Sequence, residues 1–107
     1  MSFAEKSLSV FRKPPVPHNC AQAVCHGCGH DELVEAMAEC GGGRAADGIC
    51  GALHGAMTIV GEEKATALLD AFIAKHGAYQ CKVLKKEGKV PCDQCVRTAS
   101  ELVEAAL

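Results

Sequence analysis

Apolar residues recur at helical spacing in several stretches of the chain, separated by breaks rich in Gly or Pro. Ser2 to Phe11 predicts a short helix, and Lys13-Pro14-Pro15-Val16-Pro17 an extended connector after it. Asn19 suits the N-cap of a helix over about 20–27, which Gly27 and Gly29 interrupt. Asp31 then caps a segment over Glu32 to Glu39, where Leu33, Met37 and Cys40 fall at i, i+4 and i+7, and Gly41-Gly42-Gly43 stops it. Cys50 to Val60 is small on one side and apolar on the others, as a buried central helix would be, with Gly51 and Gly55 spaced for close helix contact.

Glu62 to His76 carries Ala65, Leu68, Leu69, Phe72 and Ile73 and reads as the clearest amphipathic helix, with Gly77 at its C′ stop. A short turn around Tyr79–Leu84 and a charged, solvated, hairpin-like loop over Lys85–Lys89 follow. Pro91 precedes a last helix over roughly 92–106, whose apolar face is Val96, Ala99, Leu102, Val103 and Ala106. The expected fold is all-α, an irregular bundle of five to six short helices. Residues 1–17 form an N-terminal helix and Pro-rich connector, and 18–107 a cysteine-rich domain.

Composition narrows the function. Ala, Leu and Val dominate while aromatics are 4% and Trp is absent, which favours close-packed helices over sheets. With 11 Lys+Arg against 13 Asp+Glu and no basic stripe interleaved with aromatics, nucleic acid is not an expected partner. No apolar run approaches the ~20 residues needed to span a bilayer, so membrane insertion is not expected. Residues 1–17 lack the apolar run and cleavage site of a signal peptide, so the expected compartment is the cytoplasm.

In that reducing setting eight cysteines are better explained by metal binding or redox chemistry than by structural disulfides. They are Cys20, Cys25, Cys28, Cys40, Cys50, Cys81, Cys92 and Cys95. Cys20, Cys50 and Cys92 fall at predicted helix starts, where free backbone N–H groups and the positive dipole end favour thiolate. Cys81, in the turn after the longest helix, could complete a fourfold set suited to an iron–sulfur cluster or zinc. Cys25/Cys28 and Cys92/Cys95 are Cys-x-x-Cys pairs, a spacing that serves one metal ion or a reversible disulfide equally well. Gly29 and Val96 stand where covalent haem would need His.

The sequence resembles the C_GCAxxG_C_C family of small redox-active proteins. Asn19-Cys20-Ala21-Gln22-Ala23-Val24 is similar to its first motif, Gly41-Gly42-Gly43 to its glycine loop, and Cys50-Gly51-Ala52-Leu53-His54-Gly55 to its Cys-Gly-Ala-x-x-Gly element. Cys81 and Cys92 match its last two cysteines, Cys92 being favoured over Cys95 by its place before the apolar helix. The resemblance spans about residues 18–106 and implies redox function with an iron–sulfur centre held by Cys20, Cys50, Cys81 and Cys92. Cys25, Cys28, Cys40 and Cys95 fall outside the signature; Cys25, Cys28 and Cys95 remain further candidate metal ligands, and Cys40 suits the core.

The expected function is therefore electron transfer or redox sensing, with a redox protein as partner. The chain would serve as an oxidoreductase component without a substrate site of its own, and a homodimer sharing one centre stays open. Alternatives are a cofactor-free thiol–disulfide protein and a scaffold or store for zinc or another soft metal. His26 and His30 flank the first cysteine pair and His54 lies one turn after Cys50, but packed or solvated histidines are the simpler reading. The glycine loop lacks Gly-Lys-Ser/Thr and does not suit phosphate.

Overall fold

Ser2 opens α1 (Phe3–Val10) with a reciprocal capping box, its hydroxyl accepting from the Glu5 N–H while the Glu5 carboxylate faces the Ser2 backbone. Asn19 does the same for α2 (Cys20–Gly27) with Gln22. The computed structural model describes residues 2–12, 18–38, 48–86 and 90–106, without the side chains of Cys81 and Lys85. Beyond α2 come a 3₁₀ turn (Asp31–Leu33), α3 (Gly51–Val60), α4 (Glu62–His76), α5 (Cys81–Lys86) and α6 (Cys92–Ala106). Among the described residues extended pairing is confined to two isolated bridges, Phe11 with His18 and Ile49 with Gln80. The fold is all-α, as the periodicity predicts. No helix among the described residues is long and apolar enough to cross a membrane.

α3 is the central helix, packed against α2, α4 and α6, and Gly51, Ala52, Leu53, Gly55 and Ala56 are buried on it. Leu53 shares one buried core with Val24 of α2, Phe72 of α4, Leu84 of α5, and Val96 and Val103 of α6. Each such side chain contributes about 1.5–3 kcal/mol when withdrawn from water. Gly55 lets α2 close in: a Cβ there would lie 3.0 Å from the Ala21 carbonyl and 3.5 Å from Cys25 Sγ. Gly61, at φ 83°, ends α3 and starts α4 in one residue. Gly77, at φ 84°, gives α4 its left-handed stop.

α1 lies across α2 and α6. The Phe3 N–H donates to a Glu104 carboxylate oxygen at 2.8 Å, and Ser7 meets Ser100 in a buried hydroxyl pair at 2.7 Å. Gly27 makes the α1–α2 approach possible, because a Cβ there would lie 2.5 Å from the Ser7 nitrogen.

Two local expectations change. The helix expected over Glu32 to Glu39 is, over its described part, the 3₁₀ turn and further turns through Ala38. Side chains from the first turn of α2 and its N-cap take its carbonyls: Gln22 Nε2 donates to Val34, and Asn19 Nδ2 to Met37 and Ala38. Asp31 does not cap it through its side chain; its carboxylate faces His26 Nδ1 at 2.6 Å. The expected turn around Tyr79–Leu84 instead contains the start of α5, which runs on to Lys86 and so takes in the first part of the expected Lys85–Lys89 loop. The connector over 13–17, Cys40 and the glycines at 41–43 lie outside the described residues.

Candidate functional site

Four cysteines stand at helix N-termini. Cys20 is the first residue of α2, Cys81 of α5 and Cys92 of α6, and Cys50 is the N-cap of α3. The sequence predicts three such placements; α5 adds the fourth. Backbone bonds fix the start of α3, with the Cys50 N–H donating to the Tyr79 carbonyl at 2.7 Å and the Cys50 carbonyl accepting from the His54 N–H at 2.9 Å. Together with the bridge between Ile49 and Gln80, they hold the chain just before α3 against the chain just before α5. Each helix start leaves N–H groups without intrahelical partners, pointing where a thiolate or a sulfur-rich anion is stabilised.

Cys95 gathers the group. It lies one turn into α6 from Cys92, on the same side of the helix, and its thiol is hydrogen-bonded to Cys50. That bond, then burial, then the negative charge that Cys50, Cys92 and Cys20 would carry as thiolates, hold the Cys95 thiol far above the usual thiol range. Cys20, Cys50 and Cys95 are buried, at 5%, 4% and 3% exposure, while Cys92 is partly open to solvent. The starts of α2, α3 and α6 thus bring Cys20, Cys50 and Cys92 within electrostatic reach of Cys95. Among the described residues no three or more His, Cys, Asp or Glu side chains are arranged to hold a metal ion as they stand. Cys50 and Cys95 are the bonded pair, with Cys20 and Cys92 acting on Cys95 through charge.

A cation meets the group at its exposed edge. Arg12 Nη2 donates to Cys92 Sγ at 3.9 Å, and its guanidinium lies 4.8 Å from the centre of the Phe11 ring. Arg12 has φ 53°, a left-handed backbone that costs a non-glycine residue roughly 1–2 kcal/mol. Sequence reasoning missed Arg12, since its partner is 80 residues away.

The first Cys-x-x-Cys pair divides between two environments. Cys25 packs with Ala21 and Met37 and faces Gly55. Cys28 joins the main core beside Ser100 and Glu104, where burial pushes its thiol up to about 11 despite the Ser100 hydroxyl. The histidines have ordinary surroundings: His26 faces Asp31 and His30 faces Glu32 at 2.9 Å, while His76 packs edge-on to Phe72 and pairs with the Thr98 hydroxyl at 2.8 Å. His54 is half-buried on α3.

No protein-family model, curated protein or solved structure matches this chain.

Proposed function

We propose that the chain is a redox protein that holds a thiolate-bound iron–sulfur centre at the converging starts of α2, α3 and α6, and passes electrons to a partner protein. The observation that carries this reading is the gathering of Cys20, Cys50 and Cys92 around Cys95. Ionising several neighbouring buried thiols is costly unless a cation neutralises them, and thiolates select soft or borderline metals. The chemistry of the donor set therefore suits the group. Cys20, Cys50 and Cys92 would be ligands, with the fourth place going to Cys81 on the motif or to Cys95 on proximity. An iron–sulfur cluster would supply one-electron chemistry there. The chain's own contribution would be burial of Cys20, Cys50 and Cys95, N–H groups at the helix starts, and one sulfur, Cys92, at the surface. The resemblance to C_GCAxxG_C_C proteins supports the same assignment from the motifs alone.

Anaerobic reconstitution with iron and sulfide tests the proposal. Bound iron, acid-labile sulfide and visible absorbance are expected, all lost in Cys50→Ser. A colourless chain with neither iron nor sulfide sinks it. Cys81→Ser and Cys95→Ser, compared side by side, identify the fourth ligand.

The hydrogen-bonded pair of Cys50 and Cys95 favours a second reading, a metal-free thiol–disulfide switch. In it the two thiols reduce a disulfide of a partner, yielding the Cys50–Cys95 disulfide and two partner thiols. Peptide mapping after mild oxidation by a disulfide would show that link. Uptake of zinc without any redox wave would instead favour a structural metal site.

A further inference from the structure

Arg12 lies outside the cysteine motifs, yet three features fix it against the thiol group. Its backbone N–H donates to the His18 carbonyl at 2.9 Å, beside the bridge that pairs Phe11 with His18. Its left-handed φ of 53° is a conformation a non-glycine residue adopts only where its surroundings impose it. Its guanidinium is laid over the ring of the buried Phe11, a cation–π contact that restricts an otherwise mobile exposed side chain. The result is Nη2 at 3.9 Å from Cys92 Sγ, the partly exposed sulfur of the group.

We propose that Arg12 is a positioning residue of the thiol group, donating to the Cys92 sulfur and holding negative charge on it where the group meets solvent. This rests on the reading of the group as a thiolate-bound redox centre. Hydrogen bonds and positive charge at a ligand sulfur stabilise the more negative, reduced state of such a centre and so raise its potential. Arg12 would thereby set the potential from outside the ligand set, at the sulfur of the group that is partly open to solvent. Arg suits this role because it carries its charge at any working pH and can stack and donate at once.

Two measurements on Arg12→Gln and Arg12→Lys test this. In the metal-free chain, the rates at which iodoacetate and iodoacetamide alkylate Cys92 are compared at one pH by peptide mass spectrometry. Their ratio cancels the thiolate fraction and reads only the local charge. A unit charge about 4 Å away in water corresponds to about fivefold, so the ratio should fall about fivefold in Arg12→Gln and largely recover in Arg12→Lys. An unchanged ratio overturns the proposal. In the reconstituted protein, the midpoint potential should fall in Arg12→Gln and be partly restored in Arg12→Lys; an unchanged potential in a fully loaded Arg12→Gln likewise overturns it. A wild-type chain that takes up no metal refutes the reading of the centre, and the alkylation ratio still decides the placement of Arg12.

Discussion

Ser7 of α1 and Ser100 of α6 share a hydrogen bond of 2.7 Å with both side chains wholly removed from solvent. Together with the Phe3 N–H bond to Glu104, it fixes how the N-terminal helix seats on the last one. Replacing Ser100 strands the Ser7 hydroxyl, at a cost of about 1–3 kcal/mol, replacing Ser7 leaves Ser100 only its bond to Cys28, and replacing both removes the pair together. Ser7→Ala should lower the urea midpoint, and the Ser7→Ala/Ser100→Ala double variant should be less destabilised than the two single effects summed. Strict additivity would show that the bond does not matter.

Gly27→Ala should be among the most damaging single-methyl changes in the chain. The added Cβ meets the Ser7 backbone, 2.5 Å from its nitrogen and 2.7 Å from its Cα, which no rotamer change relieves. We expect a loss of about 1–3 kcal/mol, or detachment of α1. Gly55→Ala, at 3.0 Å from the Ala21 carbonyl, should cost less. Urea titration of both variants gives the order.

Cys28 should be slow to react. Its thiol is pushed up to about 11, so at pH 8 iodoacetamide should modify the partly exposed Cys92 well before Cys28. The sign for stability follows from proton release. Below the usual value of 9.0 both folded and unfolded forms keep the proton, and stability is unaffected by this group. Between 9 and about 11 the unfolded chain ionises first, so stability falls as pH rises. Cys28→Ala should flatten that part of the profile.

His76 titrates below its usual value, first because burial disfavours its charged form and then because of the positive charge of Lys75. The unfolded chain therefore takes up a proton before the folded one as pH falls through 6.5. Stability should decline on acidification in the wild type, and His76→Gln should lose less over the same range. Thermal unfolding at pH 7.5 and pH 5.5 provides the comparison.

Helix boundaries were legible where local chemistry sets them. Asn19 with Gln22 marks the start of α2, and Gly77 the end of α4, through interactions confined to a few neighbouring residues. The segment after Asp31 was not legible, because Asn19 and Gln22 have second roles there: each also donates to carbonyls more than ten residues ahead. Helical spacing alone cannot register that competition. At the thiol group, the motifs singled out Cys20, Cys50, Cys81 and Cys92, with Cys95 as a further candidate; the fold sets Cys95 beside Cys50, on the side of α6 that it shares with Cys92. The division of Cys25 from Cys28 and the approach of Arg12 depend on packing between distant helices, and nothing in their immediate sequence announces it.

In the proposed holoprotein, the convergence of three helix starts would make the native fold itself the chelator. Cys20, Cys50 and Cys95 belong to separate helices, so unfolding disperses them and their effective concentration collapses. A metal that binds the gathered thiols far more tightly than the dispersed ones must stabilise the native chain in proportion to RT ln(1 + [L]/Kd). Resistance to unfolding would thus gauge occupancy of the proposed centre, and loss of its metal would be felt as far away as α1.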